Sequence, residues 1–221
     1  MTTPRPPLKL AILISGRGSN MTAILRAALA GEIAVQPAIV IADRSGAAGL
    51  ASAAELGVPT AAWSGQARGE PFEPMLVRTL ETVQPDAIAL AGFMRILSPP
   101  LVGRYLGRIL NIHPSLLPAY RGLHTHRRVL AAGDTEHGAS VHFVTPELDA
   151  GPVVLQSKVA VLPADTEAAL AARVLATEHV IYPRVLGWLA EGRLGFRSGV
   201  PWLDGQRLEE PVVEDFRAAV V

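Results

Sequence analysis

The first half of this chain alternates short apolar runs with longer amphipathic segments, an order that few folds accommodate. The apolar runs predict strands over residues 9–15, 38–42, 60–63, 87–91 and 109–112. The segments between them predict helices over residues 20–30, 47–56 and 71–83. Ser19 or Asn20 is the expected N-cap of the first helix. Strand–helix alternation of this kind is typical of a mostly parallel sheet with helices on both faces.

The pattern changes after residue 113. Strands are predicted over residues 140–144 and 153–161, joined by a turn-rich loop, which indicates an antiparallel C-terminal portion. A long helix follows, with Asp165 or Thr166 as its cap, and Pro183 predicts a kink or break within it. We expect one Rossmann-like α/β domain over residues 9–210, with a flexible arm over 1–8 and a tail over 211–221.

The composition excludes several kinds of chemistry. With no cysteine in 221 residues, the chain offers no disulfide, thiolate nucleophile or cysteine-ligated zinc. Its 20 basic and 20 acidic residues balance, so neither nucleic acid nor a membrane is an expected partner. The apolar run over residues 10–14 is too short for a signal peptide or a membrane span. We expect a soluble, cytoplasmic protein.

Two polar residues stand at the end of the strand predicted over residues 109–112. Because side chains alternate along a strand, Asn111 and His113 point to the same face, roughly 7 Å apart. Pro114 and Pro118 cannot continue a central strand, so the strand should end near His113. The carboxyl end of a buried strand is where an α/β protein places its reactive groups, and we expect an active site there.

The glycine-rich loop over residues 15–20 joins the first strand to the first helix. Its backbone N–H groups and the helix N-terminus suit an anion. The loop has neither the Lys-Ser/Thr of a nucleotide-triphosphate loop nor the third glycine of a dinucleotide fingerprint, so a phosphate monoester fits best. A tight turn without a ligand explains the loop equally well.

Two carboxylates have both a structural and a functional interpretation. Glu178 falls at the centre of the apolar face of the long helix, where a carboxylate is costly unless hydrogen bonds satisfy it. It either pairs with donors inside the protein or accepts hydrogen bonds from ligand hydroxyls. Asp149 is a turn residue by default, and beside His113 it would favour the imidazolium form.

The remaining histidines are His124, His126, His137, His142 and His179. No spacing typical of a histidine metal site occurs, so we treat them as core or surface residues and expect no metal. The chain also has no Gly-x-Ser-x-Gly motif, which argues against a serine hydrolase.

Taken together, these motifs resemble the folate-dependent formyltransferases. Asn-x-His-Pro-Ser-Leu-Leu-Pro over residues 111–118 is typical of the whole family. Gly-Leu-His-Thr-His over residues 122–126 and the short length resemble the members that formylate glycinamide ribonucleotide in purine synthesis. Further similar stretches are residues 14–20, 90–98, 136–144, 148–152 and 202–208.

The resemblance implies that the amine of glycinamide ribonucleotide attacks the formyl carbon of 10-formyltetrahydrofolate, the cosubstrate. Asn111 and His113 would donate hydrogen bonds to the developing oxyanion. Asp149 would keep His113 protonated and help to move protons. No metal or covalent intermediate is required.

The resemblance also implies the binding residues. The ribonucleotide would contact Gly18, Ser19, Asn20 and Glu178. The folate would contact Met94, Arg95, Ile96, Leu97, Asn111, Thr145, Pro146, Glu147, Leu148 and Asp149. The family often has an arginine on the folate side where this chain has Gly69, and we expect the neighbouring Arg68 to replace it with weaker or altered contact.

Related activities are the nearest alternatives. A formyltetrahydrofolate hydrolase normally carries an extra N-terminal domain, for which the short arm leaves no room. A transfer-RNA formyltransferase needs a further C-terminal domain and a basic surface. A sugar formyltransferase is a further enzyme of this kind. The alternative from another class is a catalytically silent folate- or nucleotide-binding protein. The expected partners are small-molecule substrates, and the chain is expected to be a monomer or a homodimer.

Overall fold

The structure is a computed structural model that describes residues 5–65 and 71–219. Its described strands are β1 (Leu8–Ile14), β2 (Val35–Ala42), β3 (Thr60–Ala62), β4 (Ala87–Leu90), β5 (Ile109–His113), β6 (Glu136–Phe143), β7 (Val153–Ala160), β8 (Leu194–Arg197), β9 (Val200–Leu203), β10 (Gln206–Arg207) and β11 (Val212–Asp215). Its described helices are α1 (Ser19–Leu29), α2 (Gly49–Glu55), α3 (Phe72–Val83), α4 (Pro99–Arg104), α5 (Thr125–Ala132) and α6 (Glu167–Ala190).

The main sheet has eight strands in the order β11-β7-β6-β5-β4-β1-β2-β3. The first five strands of the chain pair in parallel, whereas β6 is antiparallel to both β5 and β7. Strands β8 to β10 form a separate antiparallel sheet. The predicted mostly parallel α/β sheet with an antiparallel C-terminal portion is therefore confirmed.

Helices cover both faces of the main sheet. On one face, Leu10 and Ile12 of β1 join a core with residues of α1 and α6. On the other face, Leu13 packs in a second core with Leu76 and Leu80 of α3. Burying each such leucine contributes about 2 kcal/mol, so the alternation along β1 ties both helical layers to one strand.

The start of α1 differs from the prediction. Gly18, with φ 71°, occupies the N-cap position without a side-chain hydrogen bond, and Ser19 and Asn20 lie inside the first turn. The predicted cap by Ser19 or Asn20 was wrong. A left-handed backbone is available to glycine at little cost, so the sharp strand-to-helix turn falls at Gly18.

A kink or break was predicted at Pro183, and helix α6 continues through that residue without a break. Tertiary contacts compensate for the missing N–H, because Tyr182 is fully buried and donates its hydroxyl hydrogen toward the carbonyls of Leu90 and Leu110. Of the two predicted caps, Thr166 is the one used, since its hydroxyl accepts a hydrogen bond from the Ala169 N–H.

Several elements lie outside the sequence predictions. Leu8, which the predicted boundary placed in the arm, is the first residue of β1. Val212–Asp215, placed in the tail, forms β11 and pairs in parallel with β7. Helices α4 and α5 were also not predicted. Over the described ranges, no helix combines the length and apolar character needed to cross a bilayer.

Candidate active site

The carboxyl ends of β1, β4 and β5 meet where the strand order reverses. From β1 the chain builds outward through β2 and β3, and then returns to add β4 and β5 on the other side. Doubly wound sheets bind ligands in the crevice at such a reversal. Ser15, Gly92 and His113 lie at these strand ends, and the Ser15 N–H donates to the Gly92 carbonyl.

His113 lies between two acceptors. Its Nε2 is 3.0 Å from the carbonyl oxygen of Tyr120, and its Nδ1 is 3.4 Å from Oδ2 of Asp149. A carbonyl oxygen only accepts, so Nε2 carries a hydrogen. Both the His113 and Asp149 side chains are 8% exposed, so this pair is largely withdrawn from water.

Asn111 is oriented by a histidine that the sequence analysis treated as a core or surface residue. Nδ1 of His142 donates to the carbonyl of Phe143 at 2.9 Å, and burial lowers the pKa of His142. The neutral ring therefore leaves Nε2 as an acceptor, 3.1 Å from Nδ2 of Asn111. The second N–H of that amide is left for a ligand.

The contact of His142 with Asn111 had only a partial signal in the sequence. Asn111 and His142 are cross-strand partners in the antiparallel pair of β5 and β6. The alternation puts both on one face, but the register that pairs them depends on the long connection between the two strands. Without that register, His142 could not be distinguished from the other histidines.

The loop between β6 and β7 brings Asp149 into the site. Asp149 has a left-handed backbone, with φ 49°, which aspartate tolerates better than most residues. Its Oδ2 accepts a hydrogen bond from the Gly122 N–H at 2.9 Å, and its Oδ1 is 3.9 Å from Nε2 of His142. The structure thus brings together Asn111, His113 and Asp149, as predicted.

A cavity of about 500 Å³ opens beside these three side chains. An adjoining smaller cavity shares Asn111 and Asp149 with it. Residues predicted to contact the folate line one or both cavities: Met94, Arg95, Ile96, Leu97, Thr145, Pro146, Glu147 and Leu148. Met94, Ile96 and Leu148 are 63%, 74% and 53% exposed, so this rim presents apolar surface that a flat heterocycle could cover.

The predicted ribonucleotide residues form a second group. Gly18 precedes α1, which has no acidic residue in its first turn to repel an anion. Nδ2 of Asn20 donates to Oε2 of Glu178 at 2.6 Å, and both side chains are buried. Burial raises the pKa of the Glu178 carboxyl. Neither residue lines the cavity beside His113, so the structure pairs them with each other at the start of α1.

The predicted folate contact Arg68 lies outside the described residues. Within residues 5–65 and 71–219 no cluster of three or more histidine or acidic side chains is placed to hold a metal ion.

The chain matches a family model and several known proteins over most of its length. The family model described as "Formyl transferase" matches residues 8–186. The phosphoribosylglycinamide formyltransferase of Escherichia coli (strain K12) is 49% identical over 203 residues, which cover 91% of this chain and 96% of that protein. The solved structure of the Coxiella burnetii phosphoribosylglycinamide formyltransferase superposes with a TM-score of 0.88 at 45% identity, covering 94% of this chain and 99% of that one.

A more distant structure, a formyltetrahydrofolate deformylase from Pseudomonas syringae, gives a TM-score of 0.82 at 26% identity, covering 89% of this chain and 66% of that one. The family match spans all of the strands and helices that build the site, from β1 into α6. This chain belongs to the formyl transferase family.

Proposed function

We propose that this protein transfers the formyl group of 10-formyltetrahydrofolate to the amine of glycinamide ribonucleotide, in purine biosynthesis. The observation that carries the proposal is the convergence of Asp149 on His113 beside Asn111, at the wall of an open cavity. The names of the relatives with high identity over nearly their whole length support the same reaction.

In this proposal the reaction proceeds through a tetrahedral intermediate. The amine nitrogen bonds to the formyl carbon, and the carbonyl oxygen becomes an oxyanion. The free N–H of Asn111 and an N–H of His113 stabilise that charge. A proton then passes from the attacking amine to N10 of the folate, through Asp149 or water, as the bond from carbon to N10 breaks. The products are the formamide and tetrahydrofolate.

The geometry around His113 supports one nitrogen as the donor. Nε2–H is engaged by the Tyr120 carbonyl. Nδ1 is 3.4 Å from Asp149, whose Oδ2 already accepts from Gly122. That separation is long for a charge-assisted hydrogen bond, so an Nδ1–H can also donate to a substrate oxygen while the carboxylate still stabilises the imidazolium. We assign Nδ1 of His113 to the oxyanion.

The binding roles are part of the same proposal. The N–H groups of Gly18, Ser19 and Asn20 bind the substrate phosphate, and Glu178 binds the ribose hydroxyls. The rim formed by residues 94–97 and 145–149 holds the pterin, and Arg68, the neighbour of Gly69, substitutes for the folate-side arginine with weaker or altered contact. We further propose a cytoplasmic monomer or homodimer that needs only its two small-molecule substrates.

Hydrolysis of formyltetrahydrofolate is the second candidate, because the similar deformylase structure shares the fold. The purified protein separates the two when tetrahydrofolate formation is followed with and without glycinamide ribonucleotide. The proposal expects formation only when the amine is present. Turnover without the amine would establish hydrolysis, and folate binding without any turnover would indicate a silent binding protein.

A further inference from the structure

Asp43 is a buried carboxylate that the catalytic proposal does not use. It follows the last residue of β2 and is 3% exposed. Its two oxygens accept from two arginines: Oδ1 from Nε of Arg44 at 3.2 Å, and Oδ2 from Nε of Arg95 at 3.1 Å. Burying a carboxylate is costly unless hydrogen-bond donors satisfy it. Asp43 therefore depends on its contacts with these two arginines.

The guanidinium of Arg95 is held on further sides by aromatic rings. Its carbon lies 4.8 Å from the ring centre of Trp63 and 5.4 Å from that of Phe72. Trp63 and Phe72 contact each other edge to face, and Phe72 also packs against Phe93. Cation–π contacts and an ion pair with a buried carboxylate together restrict the rotamer of Arg95, whose side chain is 40% exposed.

The backbone around Arg95 forms a wall of both cavities at the proposed folate site. That wall is attached on each side of Arg95. The Met94 N–H donates to Oγ of Ser15 at 2.8 Å, and the Ser98 N–H donates to Oε2 of Glu73 at 3.0 Å. Between these two points, Arg95 forms an ion pair with Asp43, and this charged contact holds the wall in the part of the chain that the structure describes.

We propose that Asp43 is a positioning residue for the formyl folate, acting through Arg95 to hold the wall at residues 94–97. This inference deepens the proposed function and rests on it for the identity of the ligand. Asp43 touches no substrate. Its removal releases the Arg95 side chain, and the wall loses the arrangement that receives the folate, whereas the ribonucleotide site at α1 is unaffected.

The test measures kcat and KM for both substrates in Asp43→Ala and Asp43→Asn. We expect either change to raise the KM for 10-formyltetrahydrofolate about tenfold, with kcat and the ribonucleotide KM within about twofold of the unmodified protein, because misplaced binding groups weaken only the contacts that they form. Arg44→Met is the matched control: it removes the other partner of the same carboxylate and should leave both KM values unchanged.

If Asp43 has a purely structural role, its variants should show lower thermal stability and equal changes in both KM values. That result would overturn the proposal. So would an unchanged folate KM. If Asp43→Ala does not fold, Asp43→Asn, which keeps the shape of the side chain, decides. The effect must also depend on Arg95: in an Arg95→Met background, Asp43→Asn should raise the folate KM no further.

Equilibrium binding of tetrahydrofolate to the same variants separates this inference from the proposed function. If the unmodified protein shows no formyl transfer but Asp43→Asn weakens its binding of tetrahydrofolate, the proposed function is refuted and the positioning role is retained. Equal tetrahydrofolate binding by the unmodified protein and Asp43→Asn would overturn the positioning role.

Discussion

Glu178 shows how one buried group connects binding with stability. Its carboxylate accepts from Asn20 inside the protein, and the proposal assigns it to the ribose hydroxyls as well. We expect Glu178→Gln to raise the KM for glycinamide ribonucleotide at least about tenfold with a smaller change in kcat, because a charged acceptor forms stronger hydrogen bonds than an amide. Steady-state kinetics with varied ribonucleotide measures this. An unchanged KM would return Glu178 to a purely structural role.

The same substitution changes the pH dependence of stability. Burial raises the pKa of Glu178 above 4.5, so the folded protein binds this proton more tightly than the unfolded chain. The free energy of unfolding therefore falls as the pH rises from 4.5 through the higher pKa of Glu178 in the folded protein. Glu178→Gln does not titrate, so its stability relative to the parent should increase with pH in urea denaturation. A constant difference between the two proteins would contradict this.

At the scale of single residues, the sequence predicted where individual side chains point better than it predicted which residues they contact. Strand alternation placed Asn111 and His113 on one face, and the apolar helix face marked Glu178. The partners depend on longer connections. Asp149 lies beside His113 in a loop where its own backbone is left-handed. His142 contacts Asn111 because the register of β5 and β6 makes the two residues cross-strand partners.

The hairpin of β6 and β7 controls the position of Asp149. Gly151 lies so close to β6 that a Cβ atom there would be 1.8 Å from the carbonyl oxygen of Phe143. That carbonyl accepts from His142, which orients Asn111. We expect Gly151→Ala to lower kcat at least about tenfold and stability by about 1 to 3 kcal/mol, because the loop must move away from the site.

Gly195→Ala is the control for that prediction. Gly195 lies in β8 of the small sheet, and a Cβ atom there would meet nothing within 4 Å. Kinetics and thermal unfolding should show this variant close to the parent. If Gly151→Ala behaved in the same way, the hairpin would not position Asp149.

At the scale of elements, periodicity predicted the parallel half of the sheet and the long helix. It did not predict short elements such as α4 and β10, since six-residue and two-residue elements have too few turns or alternations to show a pattern. The uninterrupted α6 shows a second limit. Local propensity predicted a kink or break at Pro183, whereas the helix is unbroken there and buried contacts such as that of Tyr182 with the sheet stabilise it.

For the whole molecule, buried histidines make stability depend on pH. Burial lowers the pKa of His126 and His142, and burial together with the neighbouring His126 lowers that of His137 to about 4. His113 also faces His137 and lowers its pKa, while Asp134 opposes this. Below pH 6.5, the ordinary pKa of histidine, these imidazoles bind protons in the unfolded chain but not in the folded protein. Acid therefore destabilises the fold.

We expect the free energy of unfolding to fall between about pH 7 and pH 5, and His137, whose pKa is lowered to about 4, should contribute up to about 2 kcal/mol of that fall. His137→Gln removes one titrating group and should reduce the fall accordingly. Urea denaturation at the two pH values measures both proteins. An identical pH dependence in His137→Gln would show that His137 protonates equally well in the folded state.

The central claim is that Asn111, His113 and Asp149 act together on one carbonyl. It is tested most directly by the turnover number of His113→Ala, Asp149→Asn and the double variant, at saturating concentrations of both substrates. We predict that each single change lowers kcat at least about 100-fold and that the double change lowers it little further, as expected for groups that act as a unit. Near-normal turnover in either single variant would contradict the claim.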